Sequence, residues 1–594
     1  GGVNASTPTG FSVYLQGAET GLSVNNINSG LDIDLYAPMG NLQARGNIKA
    51  IGRLSAETEG TGDIVMESGS MFQAVSGDIF VGADDVGLGQ LDAARAVVVN
   101  ARGAMSNNNT NTSWVNATGR SVTLQAVGSI GTSTKAVDVL PKDVTRLIAT
   151  SSTGDAYLSA NSGILRVSQV VASGMASLSS AYSIFDERGI NAQSVQGTNI
   201  ALSAGGDLGQ SSLPMTLKTA ANGIVTQASA YGSVYVTSPW GVLTVQNGQA
   251  TTGQISLNGS AYGLNLTGTM SAAQGLTLNA GAYGLTLAST ANLSNQAGSV
   301  VMKGTTIAMA DGAKVHGGLG TLVLTASGDI SLTGLSSDNA TRSAILVTTT
   351  AGAVRDAGDA NAYDLKVTAA GGGVTISALG DVGNAALAST AAGRLLDTDA
   401  SVLQITSKTG AVTLAQNKAT TDVAITSAKN IELLSQGSVV GSKLSALGGG
   451  LLVRSAAGGV QLSSGTSLGA ITVPGDILVT STTTGGVTAQ ALTAGLGITV
   501  SAGTAGNLSL GTVTAQSGTV VLGAAGGTLT ATSASATGNI TLDATGNTTV
   551  GTMTSSTGAV DLEVSAGTLT TGAVSGLNAV ALKSSGNLST GALS

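Results

Sequence analysis

Toward its C-terminal end the chain carries apolar residues in pairs with one residue between them, and the pairs recur every twenty residues: Val520 and Leu522, Ile540 and Leu542, Val560 and Leu562, Val580 and Leu582. A spacing of two puts both members on one face of a strand, with the middle residue facing out. Each pair is entered through a glycine-led turn (Gly518-Thr519, Gly538-Asn539, Gly558-Ala559) or through Asn578-Ala579. Glycine and asparagine best tolerate the sharp bends such corners need. A second corner series interleaves at Gly506, Gly527, Gly546, Gly567 and Gly586, and a third at Gly511, Gly551, Gly572 and Gly591, with Thr532 standing where its glycine is expected. Three short strands and three corners in about twenty residues predict an all-β solenoid, and the whole chain then makes about 30 rungs.

The same cadence continues backwards. Paired strands are predicted at Leu322 with Ile330, Leu365 with Val374, Leu403 with Val412, Val423 with Ile431 and Leu451 with Val460. Further back, Ser260-Ala261-Tyr262-Gly263-Leu264 and Gly281-Ala282-Tyr283-Gly284-Leu285 are near copies, and Ser229-Ala230-Tyr231-Gly232 opens a similar unit. Residues 223–594 therefore read as a regular solenoid. Residues 1–222 read as the same coil carrying longer loops, among them the polar run from Ser106 to Ser113 that ends at Trp114, and a second loop from Lys135 to Arg146.

Composition supports a narrow coil. Of 594 residues 86 are glycine and 6 proline; charged residues are 9% and aromatic ones 3%, against 42% hydrophobic. Ordinary soluble domains are roughly 25% charged, so this surface is dressed with Ser, Thr, Asn and Gln, and the core is built from small aliphatic side chains. There is no cysteine, so no disulfide and no thiolate metal site. A net charge of −8 speaks against nucleic acid as partner, and no apolar run approaches the roughly 18 residues of a membrane span. The sequence begins Gly1-Gly2-Val3 without a leader pattern, and the expectation is either a segment of a longer polypeptide or a chain whose bare ends associate end to end.

Candidate chemistry is sparse. Gly465-Thr466-Ser467-Leu468-Gly469 matches the hydrolase nucleophile pattern, yet strings of glycine and serine are expected by chance here, and no helix follows. His316, the only histidine, falls in a corner-like stretch and reads as a bystander. Acidic clusters at Asp84-Asp85, at Asp186-Glu187-Arg188, at Asp356 with Asp359 and Asp364, and at Asp397 with Asp399 are the places where paired carboxylates could act on polysaccharide or bind calcium weakly. They lack an aromatic-lined groove, so they are read as loop carboxylates, and no cofactor or metal is expected. Asp63, Asp78, Asp155, Asp207, Asp329, Asp381 and Asp476 each follow a glycine and are read as turn formers. The aromatic stretch Tyr231, Tyr235, Trp240, Tyr262 and Tyr283 is read mainly as an internal packing ladder. With Trp114, the residues Tyr231, Tyr235 and Trp240 are the candidates for surface contact.

The units Gly586-Asn587-Leu588-Ser589, Ser327-Gly328-Asp329-Ile330-Ser331-Leu332 and Gly558-Ala559-Val560-Asp561-Leu562 resemble the shaft repeats of filamentous haemagglutinin-type adhesins, the large exoproteins of two-partner secretion. The resemblance implies a right-handed parallel β-helix, export to the outside of a bacterial cell, and display at its surface or in a biofilm. It implies a secreted structural or adhesive rod that meets a host or neighbouring-cell surface or an extracellular polysaccharide, and no catalysis. A self-assembling filament subunit is the alternative, and a polysaccharide-binding or polysaccharide-degrading β-helix a further one.

Overall fold

Alternation of one buried and one outward residue, repeated along short strands, gives each strand one apolar face to bury and two edges of backbone donors and acceptors that further strands must pair. In a computed structural model of the chain, every described element is such a strand, all ladders are parallel, and they stack in about 25 turns of roughly 21 residues. The structure describes all residues except 1, 143–145, 189–191, 260, 359–362, 384–395, 417–421, 428–430, 436–438, 442, 447–450, 456–459, 463–470 and 482–484. The Gly465–Gly469 pattern and Asp359 lie outside the described residues. Turns are fewer than the 30 expected because several carry inserted residues, such as the exposed Ala220–Asn222 bulge inside strand Met215–Ala230.

The chain divides into two compact units, 1–285 and 286–594. In the first, strands Ile79–Ala83, Val86–Leu88 and Gln90–Ala93 form one turn, and Ala96–Ala101 returns to pair with Ile79–Ala83. Ile33, Leu54, Ile79, Val97, Val122 and Leu147 follow one another in register, each fully buried. At the strand ends the column narrows to Ala83, Ala101 and Ala126, because the corner leaves room only for a methyl group. The expected loop from Lys135 to Arg146 contains a strand instead, Val137–Pro141.

In the second unit Val520, Ile540, Val560 and Val580 stack in register, as do Leu522, Leu542, Leu562 and Leu582. The third corner series is a bend rather than a turn. Strands Leu508–Ala515, Leu529–Ala536 and Thr548–Ser555 run straight through Gly511, Thr532 and Gly551, and their buried phase shifts there. A Cβ on Gly511 would come within 1.7 Å of the Gln490 carbonyl oxygen.

The Gly-Asp corners act between turns rather than within one. Each of the seven aspartates named above accepts, through Oδ1, a backbone N–H from the next turn: Asp85 on Asp63 at 3.1 Å, Ala96 on Asp78 at 2.9 Å, Met175 on Asp155 at 2.7 Å, Ser233 on Asp207 at 2.7 Å, Ala353 on Asp329 at 2.8 Å, Ala411 on Asp381 at 2.8 Å and Gly497 on Asp476 at 2.7 Å. The residue before several of these donors must then lack a side chain. A Cβ on Gly174 or Gly232 would lie 2.1 Å, and one on Gly410 2.4 Å, from the aspartate oxygen below it. Gly and Asp are thus coupled from turn to turn, which gives a test. Gly174→Ala and Asp155→Ala each remove the bond to the Met175 amide and are expected to cost about 1 kcal/mol. Because they remove the same bond, the double variant costs no more than about the larger single change, and a double-mutant cycle by denaturant unfolding reads the non-additivity.

Candidate functional site

Among the described residues, the coil departs from its regular course at three corners. The excursions leave at Ile130-Gly131, Leu208-Gly209 and Val382-Gly383, where glycine takes φ of +66°, +72° and +84°. In the following turn a continuous strand spans the gap. Ala156 and Leu158 stack on Ile130 and Val137, Val234 and Val236 on Leu208 and Met215, and Val412 and Leu414 on Val382 and Leu396. A side chain at the glycine is barred, since a Cβ there would meet the carbonyl oxygen of Tyr157, Tyr235 or Thr413 at 2.7, 2.5 or 1.8 Å.

The turn before each excursion ends a strand on Asn107, Asp186 or Asp356, whose Oδ1 accepts the N–H two residues on, from Asn109 at 2.9 Å, Arg188 at 2.8 Å and Gly358 at 2.7 Å. A buried polar residue, Asn116, Ser194 or Asp364, immediately precedes the next strand, and each accepts the amide stacked above it, from Asp138 at 2.9 Å, Thr216 at 3.0 Å and Asp397 at 2.8 Å. Three of the acidic groups anticipated from sequence therefore place residues at these corners: Asp186, Asp356 with Asp364, and Asp397. Asp356, Asp364 and Asp397 come together, although an inserted segment separates the last two in sequence. Burial, then the charges of Asp356 and Asp397, push Asp364 up to about 9 against the bond from the Asp397 amide, so at neutral pH it carries a proton and bonds to Asp356. Burial likewise raises Asp138 to about 6, opposed by bonds from the Asn161 backbone and side chain.

Asp364 is 4% exposed and Asp399 5%, so neither residue opens onto a groove. Asp186 also receives the Thr216 amide at 3.3 Å, and Glu187 pairs with Arg166 at 2.6 Å. Asp84 lies 3.9 Å from Arg102, and Asp85 accepts the Ala104 amide at 2.6 Å. Among the described residues no cluster of three or more acidic or histidine side chains is arranged to hold a metal ion.

The aromatic residues divide between two corners. Tyr262 and Tyr283 stack one turn apart with ring centroids 5.9 Å apart and planes 17° apart. They occupy the corner that precedes Leu264 and Leu285, and Trp240 occupies the same corner before Leu243. Tyr231 sits elsewhere, at the corner after strand Met215–Ala230. The ladder is external, not internal: Tyr231, Tyr262, Tyr283, Trp240 and Val242 are all exposed. The stacked pair turns its ring faces along the coil, leaving the edges toward solvent. Tyr235 lies outward on strand Val234–Thr237, its hydroxyl 2.8 Å from Gln254 Nε2. Trp114 is half-buried and covers the Gly69 turn, with ring carbons 3.1 Å from where a Cβ would stand on Gly69.

His316 is on strand Lys314–His316 rather than in a corner. Its Nδ1 lies 3.0 Å from Ser336 Oγ and its Nε2 3.1 Å from Asp338 Oδ2. The residue types are those of a hydrolase triad, but the serine faces Nδ1, and both His316 and Asp338 stand 42% open to water on the outer face of a sheet. The sequence gives no sign of this contact, because it joins residues of different turns. Among the described residues no helix is long and apolar enough to cross a membrane. No family model, no curated protein and no solved structure matches the chain.

Proposed function

We propose that the chain is a secreted or cell-surface structural and adhesive rod, a shaft of the filamentous haemagglutinin type with a right-handed coil, and that it works without catalysis. The observation that carries this reading is the stacking of parallel turns within each unit, which bonds successive described turns together and buries aliphatic columns. Such an arrangement gives stiffness and reach from repetition alone. The neutral hydroxyl and amide faces, with exposed rings at Tyr231, Trp240, Tyr262 and Tyr283, suit contact with a cell surface or an extracellular polysaccharide.

Beads coated with the purified chain are expected to be retained on cell layers or on immobilised polysaccharide, and heat-unfolded chain on the same beads is expected to lose that retention. The same preparation should leave the chain length of a polysaccharide panel unchanged. Shortening by the parent but not by Asp364→Asn would overturn the reading in favour of an enzyme.

A further inference from the structure

In the second unit the outer face of one ladder carries a notch of about 250 Å3 whose walls concentrate charge in a chain that is only 9% charged. His316, Ser336 and Lys366 are register partners on three successive turns. On the middle turn the outward positions are Gly334, with φ of +60°, and Ser336. Both are small, so the middle turn recedes while long side chains stand on either side: Lys314 and His316 on one turn, Tyr363 and Lys366 two turns on. Flanking turns two steps apart leave an opening about 10 Å across.

Two groups of the walls, the Lys366 ammonium and the His316 ring, have partners. The Lys366 ammonium lies 4.5 Å from the centre of the Tyr363 ring, and the imidazole is fixed between Ser336 and Asp338. Among the described residues, two ammonium groups and no carboxylate line the opening. Asp338, bonded to the other ring nitrogen, and Asp399, in register with Lys366 one turn on, do not line it. A concave wall with donors and positive charge on two sides and a glycine floor suits a small, negatively charged acceptor group.

We propose that this notch binds an oxyanion, the carboxylate of a sugar acid or a free sulfate, between Lys314 and Lys366, with the His316 ring in the wall beside it. The proposal stands on the notch itself and holds whether or not the chain serves as a rod. His316 is the only histidine of the chain, so ring-labelled histidine gives one NMR signal at the site in the full-length protein. Titration with trigalacturonate or with sodium sulfate is expected to shift that signal saturably, and neutral maltotriose to leave it unmoved. Tighter binding of trigalacturonate assigns the site to a sugar acid; equal binding assigns it to the free anion.

Lys314→Gln and Lys366→Gln are each expected to weaken binding at least about 5-fold. Lys303→Gln, a change of the same charge on the outward side of strand Val300–Gly304, should leave it unchanged. No saturable shift with either probe, or equal weakening by Lys303→Gln, would overturn the proposal.

Discussion

Val560→Asp is expected to open the coil locally by on the order of 3–5 kcal/mol, because it places an uncompensated charge in a column that offers it neither water nor a partner. Val560 is fully buried, with Ile540 in register on one side and Val580 on the other. In a stacked fold each turn leans mainly on its neighbours, so the damage should stay near the substitution. Hydrogen exchange is expected to accelerate in strands Ile540–Ala544, Ala559–Val564 and Ala579–Ser584, while strand Val300–Gly304 keeps its protection. Asp561, one residue on, is an outward position, and Asp561→Val should leave exchange nearly unchanged. Equal exchange in Val560→Asp and the parent would mean that the column is assigned one residue out of phase.

That column was legible because its period is short and its chemistry simple: Val520, Ile540 and Val560 differ only in methylene content, and a two-residue alternation admits one inward set. The corners were legible for the same reason. What they do was not. A glycine followed by aspartate reads as a local turn, whereas Asp155 bonds the Met175 amide of the next turn and thereby excludes a side chain from Gly174. Contacts across turns depend on how many residues each turn contains, and the excursions vary that number. For this reason Asp364 and Asp397 looked like members of separate loop clusters, although the Asp397 amide bonds the Asp364 carboxyl. Tyr231 looked like a third copy of Tyr262 and Tyr283 because it shares the Ala-Tyr-Gly string, yet it follows an inward alanine at a different corner, and Trp240 takes the place expected of it. His316, with glycine on both sides of its strand, gave the local pattern of a corner, and its partners Ser336 and Asp338 belong to the following turn.

Asp364→Asn is expected to stabilise the second unit at neutral pH and to remove most of the pH dependence that the excursion contributes there. The folded carboxyl titrates near 9 instead of 3.8, so the folded chain holds a proton that the unfolded chain releases once the pH passes about 4. Stability from this group is therefore greatest at low pH, falls as the pH rises through the interval between those values, and stops falling once Asp364 itself ionises. At pH 7 the accumulated loss is on the order of 2–4 kcal/mol. Asparagine has the shape of the protonated acid. Its amide oxygen can accept the Asp397 N–H, and its amide hydrogens can donate to Asp356, with no proton to lose. Melting followed from pH 4 to pH 9 should show a declining curve for the parent and a flatter, higher one for Asp364→Asn. The change should also appear as slower exchange in strand Leu365–Val367. Asp138, raised to about 6, belongs to the other unit, so its own decline between about pH 4 and 6 should survive in the variant and separate the two contributions. Parallel pH curves for parent and variant would mean that Asp364 is ionised in the folded chain and that the Asp356–Asp364 contact is not held by a shared proton.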